Sequence, residues 1–148
     1  MFVRLQSEPF DPGAETNAFL AGRAEAGALA SFVGTVRSTP ERPIRTMTLE
    51  YYPALAQKQI TRFAQEAIDR FGLIDIGVVH RFGTMRPGEP IVIVLALSAH
   101  RQAAFDGAAY VMDWLKTDAP FWKREIGPDG EAWVAAKDED DAARDRWR

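Results

Sequence analysis

Seven consecutive apolar residues, Ile91 to Leu97, constrain the fold of this chain more than any other feature. The run is far too short to cross a bilayer as a helix, which needs about 20 residues. Alternate side chains of a strand point to opposite faces, so a segment apolar at every position has to be covered rather than half-solvated. It therefore reads as a central strand, flanked by other strands and roofed by helices on at least one side.

The segments around it fit that requirement. Pro87-Gly88-Glu89-Pro90 is a turn leading in. Ser98 is placed to cap a following helix over about Arg101 to Lys116, which buries Phe105, Ala108, Ala109, Met112 and Leu115. Upstream, the pattern predicts a strand at Phe2 to Leu5, a helix at Glu15 to Ala21, and a strand within Ala26 to Val36 with a close backbone approach at Gly34. Ile44 to Tyr52 alternates as a strand. Pro53 opens a helix whose apolar set is Ala56, Ile60, Phe63, Ala67 and Ile68, and Gly72 stops it. Leu73 to His80 is a further strand. Downstream, Phe121 to Ile126 and Glu131 to Val134 form a hairpin around Gly127-Pro128-Asp129-Gly130.

With 148 residues the chain reads as one domain, residues 1–148, in which 138–148 is a charged C-terminal tail or short helix. Eighteen Lys and Arg against 21 Asp and Glu give a net charge of -3, a poor basis for extended nucleic-acid binding. The absence of cysteine excludes disulfides, thiolate catalysis and a cysteine-built zinc site. The first eight residues lack the basic and apolar regions of a secretory signal.

Ten residues, Lys116-Thr117-Asp118-Ala119-Pro120-Phe121-Trp122-Lys123-Arg124-Glu125, carry the densest chemistry. Lys116 closes a helix, Lys123 sits in the next strand, and Pro120 forces the chain to turn between them. If the turn folds back, both ammonium groups enter one pocket walled by Phe121 and Trp122. A partly desolvated lysine becomes a nucleophile or proton-transfer group, and a charged one stabilises phosphate or an oxyanion. By spacing alone the surface alternative weighs slightly more: Lys116 as a helix-terminal charge and Lys123 paired to Glu125.

Ser98-Ala99-His100-Arg101, at a strand-to-helix junction, is the best short anion-site candidate, with backbone N–H groups, an imidazole and a guanidinium. A surface reading, with Arg101 paired to Asp106, carries equal weight. Arg37 at a strand end is a further cation. His80 reads first as a core or loop hydrogen-bonding group. Two histidines without a third ligand do not make a zinc site, so a metal hydrolase is disfavoured.

Taken together, Phe32-Val33-Gly34-Thr35-Val36-Arg37, Leu49-Glu50-Tyr51-Tyr52-Pro53, Ser98-Ala99-His100-Arg101 and Lys116 through Glu125 resemble the MoaE family, the large catalytic subunit of molybdopterin synthase. The resemblance runs from about Phe2 to Lys137. It implies an α+β fold, an α/β hammerhead with an additional antiparallel β-sheet. It also implies a cytoplasmic homodimer within a heterotetramer, with a small ubiquitin-like subunit at each end. The C-terminal thiocarboxylate of that sulfur carrier would enter the large subunit's pocket. Two sulfur transfers would convert cyclic pyranopterin monophosphate to the dithiolene of molybdopterin, with no cofactor and no metal in the large subunit.

By matching position, the resemblance makes Lys116 the lysine beside the thiocarboxylate and Lys123 the second essential lysine. Arg37, His100 and Arg101 match anion-binding and substrate-orienting residues, while Phe32 and Met112 match pocket walls. Lys137 stands where a family arginine reaches the neighbouring subunit's pocket, keeping the charge but losing the planar fork. The loop Ser38-Thr39-Pro40-Glu41-Arg42-Pro43 is shorter than the family's and lacks its usual asparagine or histidine and glycine. A noncatalytic adaptor for a ubiquitin-like C-terminal tail is the main alternative. An unrelated phosphate-ester enzyme working at Ser98 to Arg101 is another.

Overall fold

In a computed structural model, residues 1–117, 121–134 and 138–147 are described. Among them the chain forms strands β1 (Phe2–Gln6), β2 (Ala28–Thr35), β3 (Thr46–Tyr51), β4 (Asp75–Arg81), β5 (Gly83–Met85), β6 (Pro90–Ser98), β7 (Phe121–Gly127) and β8 (Gly130–Val134). The helices are α1 (Pro12–Leu20), α2 (Pro53–Phe71), α3 (Arg101–Thr117) and α4 (Asp138–Asp145). The first sheet has the order β1-β4-β6-β2, with β1 parallel to β4 and the other pairs antiparallel. The second, β5-β3-β7-β8, is antiparallel throughout. This is the α+β architecture with an added antiparallel sheet. Among the described residues no helix is long and apolar enough to cross a membrane.

The apolar run lies in β6, an interior strand, and the two faces of β6 account for its composition. Val92, Val94 and Ala96 pack with Ile60, Ala64 and Ala67 of α2 and with Ala104, Ala108 and Val111 of α3. Ile93, Leu95 and Leu97 point the other way, into a smaller cluster with Phe19 of α1. Helices thus cover the sheet on both sides, which satisfies the requirement that period-two alternation places on an all-apolar strand.

Helix α2 begins with proline in its first turn, where the missing N–H is not needed. It ends at Gly72, whose φ of 66° is left-handed backbone that glycine adopts without penalty. Its buried positions, Ala56, Ile60, Phe63, Ala64 and Ala67, follow the helical repeat. Gly34 of β2 faces Val92 so closely that a Cβ there would sit 3.0 Å from the valine Cγ1, and that closeness keeps β2 tight against β6.

Three local expectations need correction. The buried stripe of α3 runs through Ala104, Ala108, Val111 and Leu115, leaving Phe105 about 100° round the helix at its open first turn, 60% exposed. Ser98 does not accept a capping hydrogen bond; it is buried and its hydroxyl donates to the His100 carbonyl. The short strand β5, paired to β3 through Met47 and Met85, lies between the strand expected at Leu73 to His80 and the turn at Pro87, where no strand was expected.

Candidate active site

The end of α3 and strand β7 meet over the second sheet, and a cavity of about 340 Å³ opens between them. Strand alternation sends Phe121, Lys123 and Glu125 to one face of β7. On α3, Met112, Leu115 and Lys116 share a face because they are three and four residues apart. Phe32 enters from β2 and His80 from β4. Lys116, Lys123, Phe32, Met112, His80 and Phe121 all line this space.

Trp122, expected as a wall, is on the opposite face of β7. Its indole Nε1 donates to Glu50 Oε2 at 3.1 Å and its ring meets Tyr52 edge-on at 5.1 Å. Period-two geometry permits only one of two successive strand residues to face a given side.

Lys123 Nζ lies 3.4 Å from Glu125 Oε1, and the other oxygen of this buried carboxylate accepts from Arg42 Nη2 at 2.9 Å. The lysine is therefore held by the strand partner expected from the sequence and still borders the cavity; the surface and pocket readings coincide. Arg42 comes from the proline-bounded loop after β2, so that loop fixes the carboxylate that steadies the pocket lysine.

His80 is 7% exposed. Its ring stacks on Phe121 with centroids 4.2 Å apart and planes 13° from parallel. Nδ1 lies 2.9 Å from the Arg81 carbonyl oxygen. Burial, reinforced by the nearby Lys116 charge against the opposing pull of that carbonyl, lowers its pKa to about 4. The ring is neutral at physiological pH. The expected core hydrogen bond exists, yet the same residue borders the cavity. The signal was available in the alternation Ile76, Val78, His80, which carries the helix-facing side of β4 to the strand end.

Two of the other candidates, His100 and Arg101, lie apart from the cavity. Arg37 is exposed just beyond β2, and His100 and Arg101 are exposed at the start of α3. From Arg101 to Lys116 the helix rises about 22 Å, so within one chain His100 and Arg101 are at the opposite end of α3 from Lys116, whereas Arg37 follows Thr35, a residue of the cavity lining. Asp106, the proposed partner of Arg101, accepts instead from Gln102 at 3.0 Å. Lys137 and Pro120 lie outside the described residues. Asp140 of α4, which sequence reasoning had not singled out, also borders the cavity. Among the described residues no three acidic or histidine side chains cluster as a metal site.

Two ammonium groups between apolar walls, with a neutral imidazole in the floor, suit an anionic ligand. Their charge acts through a medium poorer in water than the surface, where it counts for more. Fold and cavity together define a class: an α+β protein with a lysine-lined, aromatic-walled pocket between a helix end and an antiparallel sheet.

Comparison with known proteins makes this particular. The MoaE protein family profile matches residues 5–118, and the chain belongs to that family. A relative from Rhizobium meliloti (strain 1021), named molybdopterin synthase catalytic subunit, is 50% identical over 147 residues, covering 98% of this chain and 94% of its own. The solved structure of a molybdopterin biosynthesis MoaE protein from Burkholderia ambifaria superposes with a TM-score of 0.83 at 46% identity, over 98% of this chain and 96% of that one. The crystal structure of molybdopterin synthase from Staphylococcus aureus gives 0.81 at 25% identity, over 89% and 96%.

Proposed function

We propose that this protein is the sulfurtransferase subunit that converts cyclic pyranopterin monophosphate to molybdopterin in the cytoplasm. It takes sulfur twice from the C-terminal thiocarboxylate of a small ubiquitin-like carrier. The observation that carries the reading is the convergence of Lys116 and Lys123, from separate elements, on one cavity walled by Phe32 and Met112. The name of the relatives, catalytic subunit, itself calls for a second subunit.

In this reading the carrier's tail enters beside Lys116, whose ammonium draws charge onto the thiocarboxylate carbonyl and positions it for attack. Lys123, steadied by Glu125, stabilises negative charge or moves protons as the pterin ring opens. A sulfur donor bearing charge, a cyclic phosphate and oxyanionic intermediates all call for fixed cations.

Arg37, His100 and Arg101 serve as anion-binding, substrate-orienting residues, and the last two reach the lysines from a second copy. The distance along α3 supports this, as does the surface on offer: Phe105 is exposed beside His100 and Arg101, and β2 is a sheet edge on which Phe32 is 42% exposed. Lys137 is proposed to cross in the same way. Purified complex carrying Lys116→Ala or Lys123→Ala is expected to bind the carrier yet form product at least about a hundredfold more slowly. Full activity in both variants would remove the lysines from the mechanism, and carrier binding by the unaltered protein without pterin turnover would leave an adaptor.

A further inference from the structure

His80 has a hydrogen-bonding atom with no partner among the described residues. Its Nδ1 faces a carbonyl oxygen, which can only accept, so Nδ1 must carry the proton. Nε2 is then an unprotonated acceptor, and it has no hydrogen-bond partner among the described residues. One face of the ring is covered by Phe121. His80 lines the cavity, and with Nδ1 used at the Arg81 carbonyl the remaining polar atom it can offer there is Nε2, with its lone pair.

Lys116 and Lys123 are donors only. A ligand held by its anionic group on those lysines still needs a partner for any N–H it buries, because an unpaired buried donor is costly. Burial and the neighbouring Lys116 charge keep the imidazole neutral, so it remains an acceptor over the working pH range.

We propose that His80 is a substrate-binding residue whose Nε2 accepts a hydrogen bond from a planar amide-type N–H of the ligand in the lysine pocket. The N–H has two sources in the proposed reaction, the lactam-like edge of the pterin and a peptide bond of the carrier's C-terminal tail. The inference rests on the sulfurtransferase reading.

The test uses the reconstituted complex of full-length chains with His80→Phe, His80→Asn and His80→Gln. Phenylalanine keeps a flat ring against Phe121 and has no acceptor. Asparagine keeps an N–H near the Arg81 carbonyl and does not reach the position of Nε2. Glutamine places a side-chain oxygen near it. Thermal melting identifies any variant that has not folded, and the asparagine variant stands in if phenylalanine fails.

Loss of the acceptor is expected to raise the pterin KM, or the Kd for the carrier, by roughly tenfold with kcat changed less, and glutamine is expected to recover most of the loss. A rise in KM alone assigns the N–H to the pterin, and a rise in Kd alone assigns it to the tail. Folded phenylalanine and asparagine variants with both constants within about twofold of the unaltered protein overturn the role of His80, as does a glutamine variant as impaired as asparagine. If the unaltered complex forms no product, the sulfurtransferase reading fails and takes the inference with it.

Discussion

At the scale of single residues, burial changes the protonation of one pocket group, His80. Its folded pKa, about 4, lies below the ordinary 6.5, so between those values the unfolded chain binds a proton that the folded chain refuses. Stability is therefore lost as pH falls through that interval, by up to about 3 kcal/mol near pH 4. Urea denaturation between pH 7 and pH 4.5 should show this slope, and His80→Asn should flatten it. Asp75 works in the same direction at lower pH. Burial would raise its pKa, but hydrogen bonds from the N-terminal ammonium and Arg23 outweigh that and hold it below the usual carboxylate range.

The lysines themselves were legible, because a helix-ending lysine and a strand lysine flanking Pro120 were visible as a pair. For His80 the alternation Ile76, Val78, His80 showed which side of β4 it shares, but not the stacking of Phe121, which arrives from a strand some forty residues later in the chain.

At the scale of elements, helical and strand repeats carried most of the information. Helix α2 spans Pro53–Phe71, where the apolar spacing and Gly72 set its limits. The failures have physical causes. Strand β5 is three residues long, too short for a period to register. Phe105 shares the composition of the buried stripe but sits at the open end of α3.

Helix α4, an expected tail or helix, is held against the body by Trp147. That indole donates to Asp113 Oδ2 at 2.6 Å, and its ring meets Phe71 and Tyr110 edge-on at 5.5 and 5.7 Å. Trp147→Ala should cost about 2 kcal/mol and expose α4 to proteolysis. Limited digestion alongside urea unfolding would check both.

At the scale of the whole molecule, the separation of Arg101 from Lys116 requires a second chain if both serve one reaction centre. A mixture of Lys116→Ala and Arg101→Ala chains, each nearly inactive alone, should then regain activity. Random assortment into dimers gives about a quarter of the unaltered sites, so reconstituted turnover should approach that fraction. No recovery would place the two residues in separate functions. Such an arrangement was not legible in the sequence, nor was the order of strands in either sheet, because both depend on contacts between distant parts of the chain or between chains.

In the proposed reaction sulfur passes twice from a carrier's tail to one pterin in this pocket. Its most direct measurement is a single-turnover reaction of the purified complex with thiocarboxylated carrier and cyclic pyranopterin monophosphate, following intact carrier mass and dithiolene together. The account predicts two thiocarboxylates converted to carboxylates for each dithiolene formed, and none in the absence of Lys116 and Lys123. Carrier binding with no loss of thiocarboxylate, or dithiolene formed without it, would contradict the account.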